Sequence, residues 1–360
     1  MTTTVAPLGV DRTWLARLKR IPLDDLRYLV RSVLKSLFTI WLVTTLIFFV
    51  IRLMPGNPVD IFVQDLLLKG LAYEDAQTQA ASMLGVRLDR PLHEQYFEFL
   101  GNLAQGDLGK SYISRNVPVS QMIVQRLPWS IFSIGTALLI SFALGILLGM
   151  IVAYKRNSWI DHLLTNLAAA MDALPSYLIA ILLILLLCTV FKVIPVTMTR
   201  GAVSPGIPPG FSIDFFVDVL QHYALLAFVY ILSRTGSWML TMKSSTMSTL
   251  GEDYVTAASA RGLSEGRIIT AYVGRNASLP LVTRLALSIG FVVGGSVIIE
   301  SIFVYPGIGL LLSQALYSRD YPVMQGVFLV TTIAVVLSNF VADLLYGWLD
   351  PRIRIAGEAK

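Results

Sequence analysis

The chain has a single cysteine, Cys188, and three histidines in 360 residues. One thiol excludes a disulfide framework and a cysteine-built metal centre. His93, His162 and His222 stand at no ligand-like spacing to one another or to Cys188, so they read as surface or interface residues. Charge is also scarce: 14% of residues are Asp, Glu, Lys or Arg, against roughly 25% in ordinary soluble domains. Beside 55% apolar residues, that shortage excludes a soluble globular protein. The excess of 28 Lys and Arg over 23 Asp and Glu is small and scattered, which excludes a nucleic-acid surface. No internal repeat is visible.

What the sequence does have is a series of apolar runs of bilayer-spanning length, about 20 residues at 1.5 Å per residue. The runs are 36–51 between Lys35 and Arg52, 127–154, 173–191 behind Asp172 and Pro175, 219–242 around Arg234, 285–304 around Glu300, and 321–342 continuing past Asp343 to 349. The expected fold is an all-α polytopic membrane protein with six transmembrane helices. It divides into a tail at 1–35, a first helix at 36–53, a segment at 54–126, a five-helix domain at 127–349 that includes a loop at 243–280, and a tail at 350–360. The first run is read as retained rather than as a cleaved signal, because a long segment precedes it and a turn, Met54-Pro55-Gly56-Asn57-Pro58, follows it.

Basic residues set the expected orientation. The tail through Lys35, the turn at Lys155 and Arg156, the loop carrying Lys243, Arg261, Arg267 and Arg275, and the final Arg352, Arg354 and Lys360 hold 16 Lys and Arg. The opposite short loops hold Lys192, Arg200 and Arg319. The positive-inside rule then makes both termini and the 243–280 loop cytoplasmic and leaves 54–126 external. In that external segment Leu92, Tyr96, Leu100 and Leu103 recur at helical spacing, which predicts a small helical cap.

In the cytoplasmic loop, Tyr254, Ala258 and Arg261 are spaced i, i+4, i+7 with Ala257 beside them, one face of a short helix whose small residues allow close approach by another protein. Gly262 can take the left-handed conformation that ends this helix, and Ser264 before Glu265 can cap the next, giving a helix–turn–helix elbow. Periodicity alone leaves the loop equally readable as a plain connector.

These residues resemble the transmembrane permease subunits of ATP-binding-cassette importers of the dipeptide, oligopeptide and nickel group. The resemblance rests on the cytoplasmic "EAA" loop, matched from Lys243-Ser244-Ser245 through Glu252-Asp253-Tyr254-Val255, Ala257 and Ala260-Arg261-Gly262-Leu263-Ser264 to Arg275-Asn276-Ala277 and Leu279-Pro280. It extends to Arg52-Leu53-Met54-Pro55-Gly56-Asn57-Pro58-Val59, Leu88-Asp89-Arg90-Pro91-Leu92, Gly106-Asp107-Leu108-Gly109-Lys110-Ser111, Tyr305-Pro306-Gly307-Ile308-Gly309, Arg319-Asp320-Tyr321-Pro322 and Leu349-Asp350-Pro351-Arg352. Thr256 stands where the general family has Glu, and Arg234 is a cation that the family pattern does not fix.

The resemblance implies a non-catalytic permease that forms an ATP-driven pathway for peptides with a second, homologous permease in a prokaryotic plasma membrane. It implies two cytoplasmic ATP-binding subunits, which would hold ATP and magnesium, an extracytoplasmic solute-binding protein, and no cofactor on this chain. The implied ATPase-coupling surface is Asp253, Tyr254, Ala257, Ala258, Arg261, Gly262, Leu263, Ser264, Asn276 and Pro280. The same class also carries nickel or oligosaccharides. A secondary transporter would instead be expected to show repeated halves or a chain of intramembrane ionisable groups, and a membrane scaffold is the remaining class.

The run 104–111 nearly matches a P-loop, yet Ala104 stands where the first glycine belongs and the strand–loop–helix setting is missing. Among intramembrane charges, Glu300 either lines an entrance to the translocation path or holds the start of the Tyr305-Pro306-Gly307 turn, while Asp343 reads as structural, tied to the elbow or to Arg352. Gly145 with Gly149, and Gly290 with Gly294, form small-xxx-small faces for helix packing.

Overall fold

The computed structural model describes residues 23–54, 58–80, 90–114 and 117–349. Among them the backbone is helical apart from turns and one isolated bridge between Lys110 and Pro118, as it must be where lipid offers no partner for exposed amides. Among the described residues four helices are long and apolar enough to cross a membrane, or up to six when each of two bent pairs counts as one span. They lie within α1 (Leu23–Leu53), α5 (Val119–Tyr154), α8 (Ile213–Leu250) and α14 (Tyr321–Leu349).

The bent pairs depart from the sequence expectation. The apolar run 173–191 is α7 (Ser176–Val190), which meets α6 (Trp159–Ala173) at 97°. Leu174 is extended and Pro175 stands at the N-cap of α7, as the restricted backbone before a proline dictates. The expected span 285–304 is interrupted: α11 (Leu279–Val293) stops at Gly294, and a short α12 (Val297–Ile302) resumes after Gly295, whose φ is +69°. A side chain at Gly295 would lie 2.5 Å from the amide of Gly309, so the break depends on a missing Cβ. Hydropathy does not see such a break because both sides are apolar. At the other end of the expected map, α1 begins at Leu23, inside the predicted tail.

Small residues set the helix contacts. A Cβ on Gly145 would collide with Trp238, and one on Gly149 would lie 2.5 Å from the Met242 Cβ, so α5 and α8 run parallel in close contact. Gly290 against Val335, and Gly294 against Thr331, place α11 antiparallel to α14. Ile51 of α1 clusters with Tyr321 and Val323 at the start of α14, so Leu23 and Leu349 lie at the same end as the loop between α8 and α11. Lys243 of α8 pairs with Asp161 of α6 and also reaches Thr165. His222, read above as a surface or interface residue, is buried within α8, its Nδ1 2.9 Å from the Asp218 carbonyl.

At the opposite end, the expected cap is built from α2 (Pro58–Leu68), α3 (Tyr73–Ala80) and α4 (Leu92–Ala104). Tyr96 and Phe99 of α4 pack on Phe48 of α1, Thr45 and Tyr96 share a hydrogen bond of 2.8 Å, and Arg52 Nε donates to Gln95 Oε1 at 2.9 Å. The turn expected at 54–58 lies mostly outside the described residues. The P-loop-like run is a tight turn: Gly106 and Gly109 have φ of +77° and +81°, and Gly109 N donates to Asp107 Oδ1. Its Ser111 docks on Asp320.

Candidate functional site

The elbow follows directly from its sequence. Helix α9 (Asp253–Ala260) ends in a Schellman motif. The amide of Gly262 donates to the Ser259 carbonyl at 2.9 Å and that of Leu263 to the Ala258 carbonyl at 3.4 Å, with Gly262 at φ +72°. The accompanying apolar contact is made by Leu263 against Val255, Ala258, Ile268 and Val273. The chain then returns as α10 (Glu265–Ala277), which meets α11 at 47°. Ser264 sits at the N-cap of α10, but its hydroxyl makes no capping bond; its carbonyl accepts from the amides of Arg267 and Ile268 at 3.0 and 3.1 Å.

The structure divides the expected coupling residues into two sets. Asp253, Tyr254, Ala257, Arg261, Gly262, Ser264, Asn276 and Pro280 are exposed. Ala258 and Leu263 turn inward instead, because α10 folds back and buries that side of α9. The exposed limbs are tied together: Asn276 Nδ2 donates to the Tyr254 hydroxyl and to the Tyr272 carbonyl, both at 2.9 Å. The outcome is a rigid projection joined to α8 through Leu250 and to α11 through Ala277, which packs with Trp238, Met242 and Leu281.

Between the spans lies a cavity of about 630 Å³, within the range of small-molecule sites. Its walls come from α5, α7, α8, α11, the Gly294–Ser296 break and α14. Two arginines line it, Arg234 of α8 and Arg284 of α11, among hydroxyls that include Ser237 and Ser288. Arg284 donates to Ser237 Oγ at 2.9 Å and to Thr241 Oγ1 at 3.2 Å, and its guanidinium lies 4.9 Å from the Trp238 ring centroid. An arginine at the centre of a spanning helix, as Arg234 is in α8, costs about 2.5–3.5 kcal/mol on insertion scales, which favours a wet site for it.

Sequence reasoning did not single out Arg284. The available signal was Arg234, Ser237 and Thr241 at i, i+3, i+7, a polar stripe on an otherwise apolar helix that needs a facing partner.

Glu300 does not line this cavity. It is fully buried, accepting from Ser130 Oγ at 3.0 Å, Ser296 N at 3.4 Å and Leu310 N at 3.1 Å. Ser130 in turn accepts from Ile308 N at 2.7 Å. The carboxylate thus sits at the N-terminus of α13 (Ile308–Ser318), where helix amides favour an anion, and it anchors the turn at 305–307. Asp343 is exposed and makes no ion pair among the described residues; Arg352 lies outside them.

The model of the family described as binding-protein-dependent transport system inner membrane component matches residues 145–355. The chain belongs to this family. The match takes in the elbow, the glycine break and both arginines. A Brucella suis biovar 1 protein provisionally named a peptide permease is 37% identical over 330 residues, 92% of this chain and 99% of that protein. A di/tripeptide transport system permease of Pseudomonas aeruginosa is 35% identical over 87% of this chain and 94% of its own length. A glutathione transport system permease of Escherichia coli K12 is 30% identical over 91% of this chain and 99% of its own. As an inner membrane component with several apolar spans, the chain is a multi-pass permease subunit of a prokaryotic transport system.

Proposed function

We propose that this permease subunit carries peptides inward as part of an ATP-binding-cassette importer. The observation that carries the reading is the elbow: a rigid, exposed helix–turn–helix continuous with two helices that wall the cavity. In this reading the elbow side and both termini are cytoplasmic, in keeping with the 16 Lys and Arg assigned to that side. Two ATPase subunits, which hold ATP and magnesium, grip the elbows of this chain and of a second, homologous permease. Their approach and separation bias the two-permease pathway between outward-open and inward-open states, since a ligand shifts an equilibrium only through its different affinity for the two states. This chain binds no nucleotide or metal cofactor.

An extracytoplasmic binding protein docks on α2–α4, a helical segment far larger than a linker between spans requires. Peptide is the substrate class because the relatives named above are named for peptides, dipeptides, tripeptides and glutathione. The test is purification through a tag on this chain followed by reconstitution. The expected complex contains a second permease and two ATPase copies and takes up labelled trialanine only with binding protein and ATP. A homomer that transports without ATPase subunits overturns the reading.

A further inference from the structure

The cavity holds two guanidinium groups and, among the described residues, no carboxylate paired with either. The partners of Arg284 are the neutral hydroxyls of Ser237 and Thr241 and the Trp238 ring. They orient the guanidinium fork and leave its charge uncompensated. Arg234 lies three residues before Ser237 on α8, about 4.5 Å of axial rise away on the same face. Ion pairs among the described residues use other groups, Arg90 with Glu98 and Lys243 with Asp161, and Asp218 lies 3.7 Å from the His222 ring. Glu300 spends both oxygens on Ser130, Ser296 and Leu310.

A second, independent feature points to the same space. The backbone break at Gly294–Ser296 forms part of the cavity wall, and irregular backbone at membrane depth is tolerated where it is buried in protein or lines a water-filled cavity. A wet cavity with two uncompensated cations, one of them oriented by Ser237, Thr241 and Trp238, is a site for an anion, and the planar guanidinium fork suits a carboxylate.

We propose that Arg234 and Arg284 bind the C-terminal carboxylate of a peptide in transit. The inference rests on the peptide-permease reading and adds the group that is recognised. Both arginines are exposed to the cavity, so the carboxylate exchanges with water on entry and on release. That suits a path on which binding must be weak enough to let go.

The test uses the complete complex in nanodiscs of zwitterionic phosphatidylcholine, without binding protein, so that neither an anionic headgroup nor the binding protein supplies selectivity. The probes are trialanine and trialanine amide, titrated by saturation-transfer NMR. Trialanine is expected to bind at least tenfold more tightly than its amide. The preference should vanish in the Arg234→Gln/Arg284→Gln double variant and return only in part with lysine at both positions, which restores the charge without the planar fork. Arg156→Gln removes an exposed cation outside the cavity and should leave the preference unchanged. Equal binding of acid and amide, or a preference that survives the double variant, overturns the proposal. So does loss of the second permease from the purified double variant, because the arginines would then be interface counter-ions. ATP-driven uptake of labelled trialanine by the wild-type complex with its binding protein is measured alongside. Absence of uptake overturns the peptide reading itself, whereas uptake without an acid–amide difference overturns only the carboxylate site.

Discussion

Ser111 and Asp320, 209 positions apart, share a buried hydrogen bond that fastens the cap on one end of the bundle to the start of α14. The Asp320 carboxylate also accepts from the amides of Tyr112 and Ile113 at 3.1 and 3.4 Å, and the Asp320 carbonyl accepts from the amide of Met324 in the first turn of α14. One side chain therefore joins the 106–114 turn to the last span.

Asp320→Ala should take from the buried Ser111 hydroxyl its carboxylate acceptor, at a cost of about 1–3 kcal/mol. Limited proteolysis in the 106–118 region should accelerate while the spans remain protected. The contact also carries a pH signature. Burial pushes the Asp320 carboxyl up, against the opposing pull of Ser111 and the Tyr112 and Ile113 amides. The folded chain then keeps a proton that the unfolded chain releases. Stability from this site accordingly falls as pH rises from the ordinary carboxylate range through the raised value. Asp320→Asn should flatten that slope in thermal unfolding measured between about pH 4 and 7.

Two glycines in helices should respond oppositely to alanine. A Cβ at Gly149 meets the Met239 carbonyl at 2.7 Å as well as Met242, so Gly149→Ala should destabilise by about 1–3 kcal/mol through overpacking. Gly101 in α4 has open space around it, and Gly101→Ala should be neutral or stabilise by up to about 1 kcal/mol. Thermal unfolding of the purified complex checks both; equal effects would contradict the packing account.

At the elbow the strain is conformational. Nothing lies within 4 Å of a Cβ built on Gly262, whose φ is +72°. Gly262→Val should therefore cost about 1–3 kcal/mol through backbone strain alone. The complex should assemble, with peptide uptake and the stimulation of ATPase by loaded binding protein lost together while unstimulated ATP hydrolysis continues, so that fewer peptides enter per ATP. Wild-type coupling in this variant would make the elbow a plain connector.

Ala257 is exposed beside Tyr254. Ala257→Asp places a charge on the face proposed to receive the ATPase subunit, and recovery of ATPase with the tagged permease should fall at least tenfold, as an unpaired buried charge requires. Undiminished recovery would move the docking face elsewhere on the elbow.

The long spans were legible because α1, α5, α8 and α14 are apolar runs with few interruptions, and the Schellman turn was legible because a glycine follows a small-residue helix. The direction of the chain within apolar runs was not. The 97° bend before α7 and the Gly294–Gly295 break change geometry without changing hydropathy. The inward turn of Ala258 was hidden for a related reason: the residues that bury it, Ile268 and Val273, come from the returning limb. Arg284 was missed because its meaning depends on Ser237 and Thr241 of another helix. Glu300 lay between two readings until its three donors were in place around it.

The central claim is that ATP hydrolysed by partner subunits moves this chain's spans through the elbow. The most direct measurement is the number of labelled peptides taken up per ATP hydrolysed by the reconstituted complex, wild type against Gly262→Val. The account predicts a ratio at least tenfold lower in the variant at equal subunit content. A ratio equal to wild type, or uptake that continues when the ATPase subunits are omitted, would contradict it.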